Sequence, residues 1–111
     1  ARQEIHWLAP PESPPATWSV EARREIFLFF KETLANVVRH SRARRVELRA
    51  QIVRGEYVLS VSDDGVGFDP AHAREGVGLK SLRERARDLR GDLSIQSKPG
   101  GGTTVTLRAP R

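Results

Sequence analysis

Cysteine and methionine are both absent from this chain of 111 residues, and aromatic residues make up only 6% of it. Without cysteine there is no disulfide framework, no thiolate metal site and no cysteine nucleophile. Histidine is scarce as well: His6, His40 and His72 are scattered and lack metal-ligand spacing. Long apolar runs are also missing. The longest, Ile26 to Phe30, falls far short of the roughly 20 residues that a bilayer span requires, and no signal peptide is visible. There is no internal repeat and no low-complexity tract. Beginning at Ala1, the chain reads as a fragment of something longer.

Positive charge, by contrast, is plentiful. The chain has 19 Lys+Arg against 14 Asp+Glu, a net charge of +5, and a pI of about 10.7. That balance suggests a polyanionic partner: nucleic acid, acidic lipid or phosphate. With 38% hydrophobic and 30% charged residues, the composition is that of an ordinary globular chain. The length suits one domain over 1–111, with a core at 19–110 and a first strand and proline-rich loop in 1–18.

A short strand is expected at Gln3–Leu8, followed by an irregular loop at 9–17 that holds four of the seven prolines. Ser19 reads as a helix N-cap, and the helix should run to about His40. From Val46 the period becomes two. Val46, Leu48, Ala50 and Ile52 alternate with polar residues, and after the Arg54-Gly55-Glu56 turn so do Tyr57, Leu59 and Val61. A glycine-rich loop covers roughly 63–78. Leu79, Leu82, Ala86 and Leu89 then mark an amphipathic helix closed by Gly91. A last hairpin pairs Leu93, Ile95 and Ser97 with Thr103, Val105 and Leu107. The order strand, helix, hairpin, helix, hairpin implies an α+β, two-layer sandwich, with helices on one face of a mixed, mostly antiparallel sheet.

Three features carry chemistry. On the first helix Glu32, Asn36 and His40 fall on one line with Arg39 beside them, while Phe27, Phe30, Leu34, Val37 and Val38 cover the opposite side. A solvated face is the usual reading of such a stripe. Here Leu28, Phe29 and Ala35 flank it, so it fits a cleft wall better, and its two oxygen donors suit a hydrated Mg²⁺. Second, Asp63 shares parity with Tyr57, Leu59 and Val61, so it should point inward. No local Lys or Arg pairs with it, which leaves a ligand amino group as a possible donor. Gly65 and Gly67 would let a flat ring approach, and Thr103 faces inward by the same parity, as a ligand contact or as an ordinary β-branched strand residue. Third, Gly76-Val77-Gly78 opens the second helix, a junction suited to anions, with Lys80 and Arg83 in its first turn. Neither the Walker pattern nor G-x-G-x-x-G is present.

In order and spacing these elements resemble the ATP-binding domain of sensor histidine kinases, in the gyrase/Hsp90/histidine kinase/MutL (GHKL) superfamily with its Bergerat fold. Lys31-Glu32-Thr33-Leu34-Ala35-Asn36-Val37-Val38-Arg39-His40 resembles the N box, and Val61-Ser62-Asp63-Asp64-Gly65-Val66-Gly67-Phe68 the first glycine box. Gly76 to Leu79, continuing into Leu82-Arg83-Glu84-Arg85-Ala86, resembles the second glycine box. Gly102-Thr103 resembles the strand that closes the adenine pocket. The Asn-Val-Val-Arg-His form and the Gly78-to-Ala86 stretch are similar to kinases that pair with NarL-type response regulators. Those have a short nucleotide lid, and only ten residues separate Gly67 from Gly78. Asp64 stands where Asn is commoner.

The resemblance implies ATP and Mg²⁺ as cofactors. Asn36 would ligate Mg²⁺, and Glu32 would orient a metal-bound water or polarise the attacking group. Arg39 would contact phosphate, and Asp63 would accept the adenine amino proton. Gly65 and Gly67 would shape the base pocket, with Leu79, Lys80 and Thr103 adding to the nucleotide site. Gly76 and Gly78 would cradle phosphates. It further implies transfer of the γ-phosphate to a histidine on a separate dimerisation domain absent from this chain, with a response regulator downstream. The chain itself would be a cytoplasmic monomer, drawn from a soluble or membrane-anchored parent. An anti-sigma-factor-like serine kinase switch is the alternative from another class. A basic nucleic-acid-binding module is the weaker one, because no aromatic stacking platform accompanies the arginines.

Overall fold

In the computed structural model, residues 3–69 and 79–110 are described. They form β1 (Glu4–Trp7), α1 (Val20–Asn36), a π-helical turn (Val37–Ser41), β2 (Arg45–Val53), β3 (Glu56–Asp63), α2 (Leu79–Asp88), β4 (Asp92–Ser97) and β5 (Thr103–Ala109). The five strands make one sheet in the order β1-β2-β3-β5-β4. β1 runs parallel to β2, and the other three pairs are antiparallel. The architecture is the expected α+β sandwich.

Alternation decides which sheet face is covered. Val46, Leu48 and Ala50 of β2, Leu59 and Val61 of β3, and Val105 and Leu107 of β5 are buried, and their polar neighbours take the other face. Ile26 and Phe29 of α1 and Leu82 and Ala86 of α2 pack into the same cluster as the inner face of the sheet. Both helices therefore lie on one side. The expected register of the last hairpin holds, with Leu93 opposite Leu107, Ile95 opposite Val105 and Ser97 opposite Thr103.

α1 starts where the sequence indicates: Ser19 Oγ accepts the Ala22 N–H at 3.0 Å. Its end differs. The α-helix stops at Asn36 and continues as one wider π turn to Ser41, after which Arg42 takes a left-handed φ of 54°. The wider turn ends the simple 100° wheel at Asn36, yet Asn36 and His40 still line the same cavity. The apolar side is also narrower than expected. Ile26, Phe29, Thr33 and Val37 form the buried line, whereas Phe27 and Val38 are 61% and 52% exposed. α2 closes with Arg90, not Gly91, in the left-handed position, at φ 54°. The Gly91 N–H reaches back to the Ala86 carbonyl at 2.8 Å.

The proline-rich loop is irregular but pinned. Glu12 N–H donates to the Ala50 carbonyl at 2.9 Å, and Tyr57 Oη donates to the Glu12 carbonyl at 2.8 Å. Trp18 stacks edge-on against Tyr57 and donates through Nε1 to the Pro110 carbonyl.

Candidate nucleotide-binding site

β3 ends and β5 begins at the same edge of the sheet, where Asp63 pairs with Thr103. Beside that pair, under the end of α1 and the start of α2, lies a cavity of about 400 Å³. Val37, Leu79, Leu82, Ile95 and Val105 make much of its wall apolar, and Asn36, Asp63 and Thr103 supply polar groups. An apolar cleft with a few convergent polar groups is the usual form of a small-molecule site.

Asp63 is 8% exposed, as its parity requires. Part of its donor need is met by the protein, since Oδ1 accepts the Gly65 N–H at 2.8 Å. Burial pushes its carboxyl above the ordinary value, and the neighbouring Asp64 charge adds to the rise; the Gly65 and Thr103 N–H groups oppose it only in part. No cation enters this balance. Asp64, next in sequence, has the opposite environment. Its Oδ1 accepts the Arg44 and Arg45 N–H groups at 2.9 and 3.0 Å, and these bonds, Arg45's foremost, hold its carboxyl below the ordinary value. Asp64 thus ties the loop after β3 to the start of β2.

The two first-box glycines answer to the protein's own backbone. A Cβ on Gly65 would lie 2.1 Å from the Ser41 carbonyl oxygen, the same oxygen that accepts the Val66 N–H at 2.7 Å. Gly67 has φ +63°, and a Cβ there would lie 2.0 Å from the Lys98 carbonyl oxygen. Both glycines thus make room for other segments of the chain, a role that the sequence did not indicate. Gly67 also lines the cavity.

Thr103 Oγ1 lies 2.8 Å from Ser97 Oγ, a residue that sequence reasoning did not single out as functional. Ser97 Oγ accepts the Phe68 N–H at 2.8 Å and donates to the Gly102 carbonyl at 3.0 Å. Ser97 has one proton for the Gly102 carbonyl or Thr103 Oγ1, and either hydroxyl can donate in the Ser97–Thr103 pair. Only the pairing of Ser97 with Thr103 across the hairpin hinted at this.

Of the expected site residues, Asn36, Asp63, Gly67, Leu79 and Thr103 line one cavity. Glu32, Arg39, Gly65 and Lys80 do not, and Arg39 and Lys80 are exposed. Glu32 turns to α2, where both its oxygens accept from Ser81 Oγ at 3.0 Å and Oε2 also accepts from Arg85 Nε at 3.1 Å. Its carboxylate thus faces α2, while Asn36 stands on the cavity wall. Gly76 and Gly78 lie outside the described residues. Among the described residues no group of three or more His, Asp or Glu could hold a metal ion, and no helix is long and apolar enough to cross a membrane.

An inward carboxylate in an apolar cleft, beside glycine-dependent close approaches, is an arrangement suited to a small-molecule ligand. The model of the histidine kinase-, DNA gyrase B- and HSP90-like ATPase family matches residues 21–111, and the chain belongs to that family. Relatives include the signal transduction histidine-protein kinase/phosphatase DegS of Brevibacillus brevis, 33% identical over 86 residues that make up 77% of this chain and 22% of DegS. The sensor protein NarQ homolog of Haemophilus influenzae is 38% identical over 82 residues, 72% of this chain and 14% of that protein. The chain thus spans less than a quarter of either relative. Among solved structures, the ATP-binding domain of PrrB from Mycobacterium tuberculosis shares the fold, with a TM-score of 0.77 at 23% identity over 97% of this chain and 80% of that one.

Proposed function

We propose that the whole chain is one ATPase domain that holds Mg·ATP in this cavity and presents the γ-phosphate to a histidine on a separate helical dimerisation domain. The observation that carries the reading is Asp63: a carboxylate buried among apolar residues at a strand end, with backbone N–H partners and no cation. Such a group accepts a hydrogen bond from the amino group of adenine and rejects the carbonyl of guanine. The hydrogen bonds of Ser97 to Phe68 and Thr103 join two residues of the cavity wall.

Asn36 would hold Mg²⁺ through its amide oxygen, with phosphate and water completing the shell, as suits an ion that seldom sits in an all-protein cage. Bound there, Mg²⁺ supplies charge neutralisation for the phosphates. Arg39 and Lys80, both exposed near the cavity, would meet phosphate oxygens, and Gly76 and Gly78 would cradle them from the start of α2. Glu32 would orient a metal-bound water or polarise the attacking group, through the carboxylate lone pairs that Ser81 and Arg85 leave open. Positioning and charge carry such a transfer.

The parent would be a sensor kinase whose acceptor-histidine domain and response regulator, of the NarL type, lie outside this chain. Its location would be cytoplasmic and the isolated domain a monomer. The sensor-kinase relatives favour this branch over the anti-sigma-factor-like switch. Incubation with γ-labelled ATP tests it: the chain alone should stay unlabelled, and addition of the acceptor-histidine domain should give acid-labile label on that domain. Acid-stable label on a serine protein partner instead would overturn the reading.

A further inference from the structure

Glu32 receives hydrogen bonds from two side chains of α2, and they do more than join two helices. Ser81 Oγ lies 3.0 Å from each carboxylate oxygen, and Arg85 Nε lies 3.1 Å from Oε2. Arg85 Nη1 meanwhile reaches Glu25 Oε2 at 3.2 Å, so one guanidinium fork spans two carboxylates seven residues apart on α1. Ser81 and Arg85 are themselves one turn apart on α2 and share a face. The terminal torsion of a glutamate is normally broad and nearly free. A hydroxyl that meets both oxygens, with a guanidinium nitrogen at one of them, removes that freedom. Burial lowers the Arg85 pKa, and the Glu32 and Glu25 carboxylates outweigh it and raise it above the ordinary value. Cavity-lining residues flank the contact on both helices, with Thr33 and Asn36 on α1 and Leu79 and Leu82 on α2.

We propose that Ser81 and Arg85 are positioning residues that fix the orientation of the Glu32 carboxylate beside the nucleotide cavity, so that α2 sets how Glu32 meets the attacking group. The proposal rests on the reading of Glu32 given above. Glu25 serves as an internal comparison, because it shares Arg85 and the helix interface without touching Glu32.

The test uses the kinase that carries this domain together with its acceptor-histidine domain. Single-turnover phosphoryl transfer and Mg·ATP affinity are measured for the wild type and for E32Q, S81A, R85A, R85K and E25Q. S81A and R85A should slow transfer on the order of 10- to 100-fold, the scale of a misplaced catalytic group. Their Mg·ATP affinity should stay within about two-fold of wild type, separating turnover from binding. R85K should recover part of the loss, having one donor point in place of a fork. E25Q should transfer at close to the wild-type rate. Wild-type rates in S81A and R85A would overturn the proposal, as would an E25Q as slow as R85A, since the contact would then be a helix staple only. An E32Q variant that transfers normally while binding ATP would remove the role of Glu32 and the proposal with it, leaving nucleotide binding intact. Failure of the wild type to bind Mg·ATP would sink the functional reading instead.

Discussion

Asp63 and Asp64 are consecutive carboxylates with opposite surroundings, and their pH responses should oppose one another. The Asp63 carboxyl is raised by burial. Its contribution to stability is therefore fully present below the unfolded carboxylate pKa and is lost as pH rises through its folded value. Asp64 is lowered by the Arg45 and Arg44 N–H groups. Its contribution is present above the unfolded value and is lost as pH falls through its folded one. Asp64→Asn should therefore have a lower urea midpoint than wild type at neutral pH, and the gap should close in acid; a gap that is constant with pH would contradict the assignment. Gly65→Ala drives a Cβ against the Ser41 carbonyl at 2.1 Å and should cost about 2 kcal/mol or more in a urea melt. The inward position of Asp63 was legible from parity alone. The bonds of Asp64 to Arg44 and Arg45, and of Ser97 to Phe68, were not, because each joins residues about twenty or more positions apart through backbone groups that carry no sequence signal.

Among the described residues, periodicity located both α-helices and the strands from β2 to β5, since each buries one face and so repeats at 3.6 or 2. It failed where the helix changed its own period. Past Asn36 the π turn breaks the wheel, and Phe27 and Val38, assigned to the inner side, stand exposed because the sheet covers only a narrow stripe of α1. Likewise, the Glu32–Ser81–Arg85 contact depends on how α1 and α2 meet, which neither helix encodes alone. Leu82, 1% exposed, packs α2 into the core and lines the cavity, so Leu82→Ala should cost about 2–5 kcal/mol and weaken nucleotide binding as well. Arg90 holds a left-handed conformation at the end of α2. Relief of about 1–2 kcal/mol of that strain outweighs the roughly 0.4–1 kcal/mol that glycine adds to unfolded-chain entropy. Arg90→Gly should thus raise the melting temperature slightly; a fall would mean that the arginine side chain contributes more than its backbone costs.

For the whole molecule, the net charge of +5 is only partly explained by a triphosphate. Arg44 and Arg45 serve the fold through their backbone N–H groups, and Arg45 Nε lies 3.4 Å from Glu47, so a basic run need not signal nucleic acid. The family match over 21–111 fixes the class of chemistry, and the cavity beside Asp63 is where that chemistry is expected. The most direct measurement is a thermal shift with Mg·ATP and with Mg·GTP, for wild type and Asp63→Asn. Nucleotide at a hundred times its Kd adds about 2.7 kcal/mol, a rise of roughly 10–20 °C for a domain this small. Wild type should show that rise with ATP and little with GTP, and Asp63→Asn should melt near the wild-type temperature yet lose the response to ATP. Equal shifts with both nucleotides, or an Asp63→Asn variant that still responds fully to ATP, would contradict the adenine-binding role of Asp63.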